Sequence, residues 1–542
     1  MKRSAANPAC VALLSLFCVL AVGSSLRKSA TFDEVHYQGV GKHILRNRAF
    51  TLRNASFHPP LFFYLSSVTQ WGLDWPAQWD RINYKERGWR IASMLPHDRV
   101  IQHARMPFIL LGALLGLLLY LWARELFGPG PALFSLALFA LSPNILAHAR
   151  LVTADILLAL TYFLTFFLAW RVRRRGLHVR RTCALALALA ATLLSKYTGI
   201  LAVPALAAVF AADRRVWRRA TWSRTMARRA AGHLLLAIVL TGAVVWAHYF
   251  FHMDVPRYAD SETLKSLRSI APFTEWLMRL PAPCPEYLEG LSWQFRDSEQ
   301  HRLYMHGRIL ARSPWFFLYA MSVKVPVVSL LAFAAGVVAF LRNPRTRGDA
   351  AAVLTPAAFF LLAMSLSGAA KGLRYCLPVF PFLFLAAGAG VHALSPAHPW
   401  VRRTVTAGIL IAAGVANASI YPHYLAYFNV FAGGPRNGHH HLVDSNLDWG
   451  QDLKGLADDL RRRGERSVRL AYFGLARPEY YGIDWTPLHP RKEQTGLCAI
   501  SVTRYQRLYE RDPEAFAWLR RYDPIDSVGY SILLFRVPKD HD

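Results

Sequence analysis

Charged residues are scarce in this sequence, and acidic ones are the scarcest. Only 18% of the 542 residues are charged, and 34 aspartates and glutamates stand against 63 lysines and arginines. In soluble domains roughly a quarter of the residues are charged. In this chain 54% of the residues are hydrophobic. The composition excludes an ordinary soluble enzyme and indicates an integral membrane protein.

The formal charge of +29 raises the question of a polyanionic partner. The arginines, however, cluster in short segments between apolar runs, such as 171–175 and 214–219, and not on one soluble face. Such clusters are typical of cytoplasmic segments that face anionic lipid headgroups. We therefore expect membrane lipids as partners, and no nucleic acid.

Cysteine is also rare, with six residues and no Cys-X-X-Cys pair. This pattern excludes a disulfide framework. A single bridge between Cys284 and Cys498 stays open, because both fall on the outer side of the predicted topology and the sequence does not give their geometry. Internal repeats and low-complexity linkers are also lacking.

Several apolar runs are long enough to cross a membrane, since about 20 apolar residues in a helix span a hydrocarbon core of about 30 Å. The sequence predicts about eleven spans, two or three of them short: 9–26, 106–123, 131–149, 151–170, 182–195, 197–212, 232–251, 315–341, 350–368, 372–392 and 404–420. The first run also resembles a signal peptide. We interpret it as a retained anchor, because the topology closes only if this run spans.

The basic residues predict the orientation. The largest basic clusters, 171–181 and 214–229, fall on one side of the predicted spans, and the short connections on the other side hold few basic residues. The positive-inside rule places the N-terminus in the cytoplasm. An odd number of spans then places the C-terminus outside, together with two large loops, 27–105 and 252–314.

The chain therefore divides into a transmembrane module, residues 1–420, and an extracytoplasmic tail, residues 421–542. The tail reads as a small α/β domain, with one helical segment and three strand-like segments at 452–463, 468–473, 499–503 and 531–537. The predicted fold class is a polytopic α-helical membrane protein with a small C-terminal extracytoplasmic α/β domain.

Two acidic sites are predicted at the outer membrane surface. Asp33 and Glu34 follow the first span, and Asp155 lies a few residues inside the fourth. A carboxylate there can accept a proton from a nucleophile, and an ionisable group within a span is by default a functional hypothesis. The alternatives are a solvated acidic pair at a helix end and, for Asp155, a pair with Arg150 or another basic residue that holds helices together.

Three cations are predicted on the same outer face. Lys196 lies at a hinge between two spans, and Lys371 and Arg374 lie at the start of the tenth. Each one alone is explained by a basic side chain that reaches from the membrane to its surface. Their convergence with two acidic sites on one face predicts a functional site.

Five motifs follow one another along residues 31–381: Thr31-Phe-Asp33-Glu34-Val-His-Tyr37, His58-Pro-Pro-Leu61, Leu141-Ser-Pro-Asn144 with Arg150 and Asp155, Ser195-Lys-Tyr-Thr-Gly199, and Arg374-Tyr-Cys-Leu-Pro378-Val-Phe-Pro381. Together they resemble the GT-C glycosyltransferases, and they are most similar to the protein O-mannosyltransferase and lipid A aminoarabinose transferase group (family 39-like). The resemblance covers most of residues 1–420. It implies a GT-C fold in the cytoplasmic (inner) membrane of a bacterium.

The resemblance further implies an inverting transfer of a sugar from a polyprenyl-phosphate carrier at the outer face. Asp33 would deprotonate or orient the acceptor hydroxyl or amine. Glu34 and Asp155 would position the acceptor or hold the basic residues.

The phosphate of the leaving carrier would be bound first by Arg374, whose guanidinium can grip it in two places, and then by Lys371 and Lys196. His58 stands where the aminoarabinose transferases have a lysine. A histidine is only partly charged near neutral pH. This departure weakens the expectation of a phosphate contact at His58 and of aminoarabinose as the donor.

The tail motif Asp444-x-Asn446-x-Asp448 has the first three ligand positions of a calcium loop. Trp449 stands where that loop needs glycine and Gly455 where it needs glutamate, so an Asx-rich turn is favoured.

A lipid-monophosphate donor needs no metal to bridge a diphosphate, and no nucleotide-sugar motif is evident. We expect neither a metal nor a cofactor.

The sequence thus predicts a polyprenyl-phosphate-sugar-dependent glycosyltransferase, transferring a hexosyl or pentosyl group to a protein, lipid or glycan acceptor. A transporter or flippase of a polyprenyl-linked glycan also needs charges in the membrane, but it favours repeat symmetry and sites near the midplane. A non-enzymatic membrane scaffold is a third reading. The sequence does not identify the donor sugar, the acceptor or the oligomeric state.

Overall fold

The computed structural model describes residues 7–74, 81–95, 98–211, 223–256, 280–300, 302–343, 346–368, 371–394 and 399–538. Within these ranges, seven helices are long and apolar enough to cross a membrane: Pro8–Leu26, Arg99–Phe127, Ala154–Arg175, Arg224–His248, Gly348–Leu366, Leu373–Ala393 and Pro399–Ile420. The prediction of a polytopic helical membrane protein is confirmed. The count of about eleven spans and the side on which the tail lies stay predictions.

The remaining apolar helices of the membrane module are broken or short. Pro129–Ala140 and Pro143–Ala149 form one candidate span bent by 64°. Val179–Ser195 ends at Lys196 and is followed by a 3-10 turn, Tyr197–Leu201, and the helix Ala202–Ala211.

Two predicted spans have different bounds in the structure. The run 315–341 consists of two helices, Phe316–Lys324 and Val327–Arg342, separated at Pro326, which has no backbone N–H to continue the first helix. The span predicted at 106–123 belongs to a helix that begins at Arg99 and therefore reaches well into the first outer loop.

The first outer loop folds into short helices that pack on the membrane module. They are Phe32–Tyr37, Val40–Asn47, Pro60–Ser67 and Tyr84–Ala92, with 3-10 turns at Arg53–Ser56 and Val68–Gln70. Thr31 and Glu34 form a capping box at the first of these helices, an arrangement that satisfies the free backbone N–H groups at a helix start. Pro60 occupies the first turn of the helix Pro60–Ser67, where its missing N–H costs nothing.

The second outer loop is described only in part. It contains a two-residue pairing of β1 (Met253–Asp254) with β2 (Ala282–Pro283), the helix Pro285–Gln300, and a hairpin of β3 (Leu303–Met305) and β4 (Arg308–Leu310). The basic cluster predicted at 214–219 lies outside the described residues.

The tail contains a five-stranded mixed sheet, in the order β6-β5-β7-β9-β8. Its strands are β5 (Ser467–Ala471), β6 (Asp484–Pro487), β7 (Gly496–Ser501), β8 (Asp526–Val528) and β9 (Ile532–Val537). β5 runs parallel to β6 and β7, and β9 runs antiparallel to β7 and β8. The helices of the tail are Gly438–His441, Leu453–Arg463 and Val502–Tyr505. The three segments predicted as strands overlap β5, β7 and β9, whereas β6 and β8 were not predicted.

The tail and the membrane module share their hydrophobic cores. One continuous core contains Phe17 and Tyr162 of the membrane helices together with Trp449 and Phe535 of the tail. A second core joins the tail sheet to the first outer loop through Val35. The site described below lies where these three parts meet.

All six cysteines are free thiols, and Cys498 is buried in the tail sheet. The bridge between Cys284 and Cys498 that the sequence left open is therefore not formed in this structure.

Candidate active site

The first outer loop presents Asp33 at the start of the helix Phe32–Tyr37. Its carboxylate accepts hydrogen bonds from Arg374 Nη2 at 3.3 Å and from the Tyr37 hydroxyl at 3.5 Å. The Asp33 side chain is 20% exposed. It is therefore an acid that is held by a cation and is still open to an incoming molecule.

Asp155 lies in the first turn of the helix Ala154–Arg175 and is 2% exposed. Lys196 Nζ donates to its Oδ1 at 2.6 Å, and Arg374 Nη1 donates to its Oδ2 at 3.2 Å. The structure therefore brings together four of the predicted residues, because Asp155 binds both cations while Arg374 also binds Asp33. Arg150, the alternative partner considered for Asp155, makes no hydrogen bond to it within the described part of the chain.

Arg374 occupies a 3-10 turn, Leu373–Val379, at the beginning of its span. Its guanidinium stacks on the ring of Trp449, with Cζ 4.1 Å from the ring centroid, and lies 4.9 Å from that of Tyr375. Both Nη atoms are engaged by carboxylates, whereas the buried Nε has no hydrogen-bond partner among the described residues. The Nε–H of this cation is thus left to bind another acceptor.

Lys196 and Lys371 extend the positive side of the site. Lys196 Nζ also lies 4.0 Å from the centroid of the Tyr375 ring, an arrangement in which a ring face attracts a cation. Lys371 is partly buried and precedes the turn that carries Arg374. Its charge is one of those that oppose protonation of His58.

His58 is buried next to the cluster. Its Nε2 lies 2.9 Å from the Tyr37 hydroxyl. Burial, assisted by the charge of Lys196, lowers the pKa of His58 to about 3. An imidazole with such a pKa carries no charge at neutral pH, so it acts as a hydrogen-bonding neighbour of Tyr37 and not as a fixed cation.

Glu34 lies apart from this cluster, although it is adjacent to Asp33 in sequence. Its carboxylate is fully buried and forms a two-point ion pair with Arg105, with Nε–Oε1 at 2.8 Å and Nη2–Oε2 at 2.6 Å. It also accepts hydrogen bonds from the backbone N–H groups of Thr31 and Val152. Although burial opposes its charge, Arg105 holds the pKa of Glu34 below its usual value. Glu34 thus ties the first loop to the helix Arg99–Phe127 and to the segment just before Asp155. Among the described residues it makes no hydrogen bond to Arg374.

Sequence reasoning missed several residues that shape the site. Tyr37 and Tyr375 stand inside the motifs, and their aromatic side chains at two predicted site segments were the available signal. Arg105 was placed in the loop because the span was predicted to begin one residue later. Trp449 gave no signal, because a tryptophan in a soluble tail predicts only burial.

The acidic residues of the tail motif are engaged by the protein itself. Asp444 accepts from the Tyr509 hydroxyl, and Asp448 accepts the backbone N–H of Thr503 at 3.0 Å. Burial raises the pKa of Asp448 to about 7. Among the described residues no group of three or more His, Cys, Asp or Glu could hold a metal ion.

The chemistry open to this arrangement follows from its charges. Asp33 is the one acid of the three that is partly exposed, and it can accept a proton at Oδ1 or Oδ2. Arg374 binds it directly, and Lys196 shares Asp155 with Arg374. Positive charge is thus gathered where the surroundings contain little water and a fixed charge acts strongly. An anionic group that contacts Arg374 Nε would lie next to this acid.

Comparison with known proteins agrees with the motifs. Residues 89–246 match the family model described as dolichyl-phosphate-mannose-protein mannosyltransferase. No curated protein sequence matches the chain.

The solved structure of ArnT has a similar fold over almost the whole chain. ArnT from Cupriavidus metallidurans, bound to undecaprenyl phosphate, is 14% identical, with 98% of each chain covered and a TM-score of 0.50. The oligosaccharyltransferase AglB from Archaeoglobus fulgidus is 12% identical, with 95% of this chain and 72% of that chain covered and a TM-score of 0.48. The protein O-mannosyltransferase complex of S. cerevisiae, bound to the sugar donor, is 20% identical, with 46% of this chain and 34% of that chain covered and a TM-score of 0.36.

The fold found for ArnT thus occurs in this chain, and the family model falls on its membrane helices. The resemblance predicted from the motifs is confirmed: this chain is similar to the GT-C glycosyltransferases of the protein O-mannosyltransferase and aminoarabinose transferase group.

Proposed function

We propose that this protein is a membrane glycosyltransferase that moves a sugar from a polyprenyl-phosphate carrier to an acceptor hydroxyl or amine. The observation that carries the proposal is the position of Arg374, which binds the partly exposed Asp33 and the buried Asp155 and keeps its Nε–H without a partner among the described residues. The ArnT structure with the similar fold binds undecaprenyl phosphate, which supports a carrier of this class.

The reaction needs one base and one anion site. The acceptor oxygen or nitrogen attacks the anomeric carbon of the sugar and passes its proton to Asp33. The bond between that carbon and the phosphate oxygen breaks, and the bonding electrons leave with the polyprenyl phosphate, whose negative charge grows. Arg374 Nε, Lys196 and Lys371 stabilise that charge, and a single displacement inverts the anomeric centre.

Asp155 has a supporting role in this mechanism. Its carboxylate is buried and engaged by two cations, so it orients Lys196 and Arg374 and keeps a site with several positive charges close to neutral before the donor binds. A buried cation without such a partner is costly.

We further propose that the site faces the outer side of the cytoplasmic membrane, as the distribution of basic residues indicates. The cations of the chain can stabilise the leaving phosphate directly, so the transfer is expected to proceed in the presence of EDTA. Activity that disappears with the chelator and returns with a divalent ion would contradict this part of the proposal.

The proposal is tested with the full chain purified in detergent and a panel of undecaprenyl-phosphate-linked sugars. Asp33→Asn keeps the shape of the side chain and removes the base, so turnover should fall by about 10²–10⁴-fold. Binding of undecaprenyl phosphate should stay close to that of the wild type. Asp74→Asn, at an exposed position of the same loop, is the matched control and should keep full turnover.

Two results would contradict the assignment. One is an Asp33→Asn variant that keeps wild-type turnover, since no base would then be needed at this position. The other is an unchanged profile of envelope glycans and glycoproteins, measured by mass spectrometry, in cells with and without the protein.

A further inference from the structure

The tail segment 444–451 contacts both chain segments that carry the proposed active site. One of its residues, Trp449, is buried and contacts both of them. The Trp449 carbonyl accepts the backbone N–H of Phe32 at 2.8 Å, next to Asp33. The Trp449 ring supports the guanidinium of Arg374 at 4.1 Å. A single tail residue therefore touches the segments that carry the proposed base and the proposed phosphate ligand.

A second contact from the tail holds the 3-10 turn Leu373–Val379, which carries Arg374. Asn446 Oδ1 accepts the backbone N–H of Leu373 at 2.9 Å, and its amide group donates to the Val443 carbonyl at 3.0 Å. The tail approaches this turn very closely, because a Cβ added at Gly372 would lie 2.5 Å from Ser445 Oγ. The start of the turn is thus fixed by a side chain that belongs to the tail.

The segment is itself held rigidly by the rest of the tail. The backbone N–H of Trp449 donates to Gln451 Oε1 at 2.8 Å, and the backbone N–H of Thr503 donates to the Asp448 carboxylate. The rings of Phe32, Phe473 and Tyr509 form a continuous stack, with neighbouring centroids 5.4 Å apart. The first loop is therefore packed against tail residues and not only against the membrane helices.

We propose that Trp449 and Asn446 are positioning residues that fix the Asp33–Arg374 pair, so that the tail completes the active site. Trp449 sets the plane of the guanidinium, because a cation is attracted to the face of an indole ring. With the plane of the Arg374 guanidinium set and both Nη atoms bound to carboxylates, the direction of its Nε–H bond is determined. The role assigned to that N–H, binding of the carrier phosphate, rests on the proposed function.

Four variants of the full chain test this proposal against the wild type. Trp449→Phe keeps an aromatic face, Trp449→Leu removes it, and Asn446→Leu removes the acceptor for Leu373 at similar side-chain size. Trp485→Leu is the matched control, because Trp485 lies in β6 and packs in the second core of the tail. Melting temperature is measured for each variant, together with binding of undecaprenyl phosphate and a cryo-electron microscopy map without ligand.

The expected effect is specific to the ring and to the acceptor. Trp449→Leu and Asn446→Leu should each weaken binding of undecaprenyl phosphate by about tenfold, and their maps should show Arg374 displaced from its position between Asp33 and Asp155. Trp449→Phe should stay within about threefold of the wild type, and Trp485→Leu should bind like the wild type. If Trp449→Leu does not fold, Asn446→Leu carries the comparison.

Failure of this proposal is distinguishable from failure of the proposed function. If the wild type does not bind undecaprenyl phosphate, the proposed function fails, while the maps still decide whether Trp449 and Asn446 position Arg374. If Arg374 keeps its place in the maps of both leucine variants, or if Trp449→Phe binds as weakly as Trp449→Leu, the positioning role is overturned.

Discussion

Arg374 is the residue on which the electrostatics of the site depend. Its two Nη atoms bind two different carboxylates, and its Nε–H remains for a ligand. A lysine has the same charge but only one nitrogen, so it is unable to reproduce the planar fork of three nitrogens. This difference makes a conservative replacement informative.

Arg374→Lys is expected to weaken binding of undecaprenyl phosphate by about 10–100-fold, because charge-assisted hydrogen bonds are lost while the net charge is kept. Transfer should fall in parallel. Arg308→Lys, at an exposed position of the β3–β4 hairpin, serves as the control and should bind normally. Unchanged binding by the lysine variant would show that the phosphate does not need the guanidinium.

His58 gives a prediction about pH. Burial lowers the pKa of His58 to about 3, below the value of 6.5 for an exposed histidine. The unfolded chain therefore takes up a proton below about pH 6.5 that the folded chain refuses, so the stability contributed by neutral His58 is present above this pH and is lost as the pH falls towards 3.

His58→Gln removes this group and keeps a neutral hydrogen-bonding side chain. The free energy of unfolding of the wild type should therefore decrease more steeply between pH 6.5 and 5 than that of the variant, by up to about 1.4 kcal/mol per pH unit. His36, whose pKa burial lowers to about 4, contributes equally to both proteins. Melting curves of the two proteins across this range measure the difference, and parallel curves would show that His58 is charged or solvated in the folded protein.

At the scale of elements, the first outer loop is held in place by Glu34. Its ion pair with Arg105 connects the helix Phe32–Tyr37 to the helix Arg99–Phe127, and its bond from the Val152 N–H reaches the segment before Asp155. Adjacent carboxylates thus serve different purposes: Glu34 fixes the loop, and Asp33 faces the cations.

Glu34→Gln is expected to destabilise the protein by about 3–5 kcal/mol, since Arg105 is left buried without a counter-charge. Thermal unfolding of the full chain measures this loss. Glu86→Gln breaks the half-exposed Glu86–Arg90 pair of the same loop and should cost at most about 1 kcal/mol. A Glu34→Gln variant that melts like the wild type but has lost turnover would contradict the structural role and would favour a direct role in catalysis.

The elements differ in how well the sequence predicts them. Long apolar runs such as 404–420 identify helices reliably, because an apolar run long enough to cross a membrane has few other ways to satisfy its backbone hydrogen bonds. For the run 315–341, hydropathy alone does not predict that Pro326 divides it into two helices. β6 and β8 were not predicted because they have three or four residues each, too few for a visible alternation.

Part of the site was predictable from the sequence, because ionisable groups at the ends of apolar segments are easy to identify. Asp33, Asp155, Lys196 and Arg374 were each identified as ionisable groups at the outer ends of apolar segments, and the structure brings these four together. The assignment of Glu34 to the opposite side of the loop, and its partner Arg105, depend on the direction of a short helix. The capping box of Thr31 and Glu34 lies at the start of that helix, and hydropathy does not reveal it.

At the scale of the whole molecule, the tail and the membrane module form one structure. Lys28, just after the first span, is buried in an ion pair with Asp452 of the tail. Trp449 and Asn446 add contacts to the first loop and to the Arg374 turn. A boundary at residue 420 describes where the apolar runs end, but packing continues across it. No periodicity in the sequence predicts contacts over such separations.

The central claim is that the proposed base and the proposed phosphate ligands face the same bound carrier. It is tested most directly by a cryo-electron microscopy structure of the full chain with undecaprenyl phosphate. We expect a phosphate within about 3 Å of Arg374 Nε or Lys196 Nζ, with the Asp33 carboxylate open beside it. A phosphate bound at another place in the membrane module, with the Asp33–Arg374–Asp155 cluster unchanged, would show that these residues do not bind the carrier.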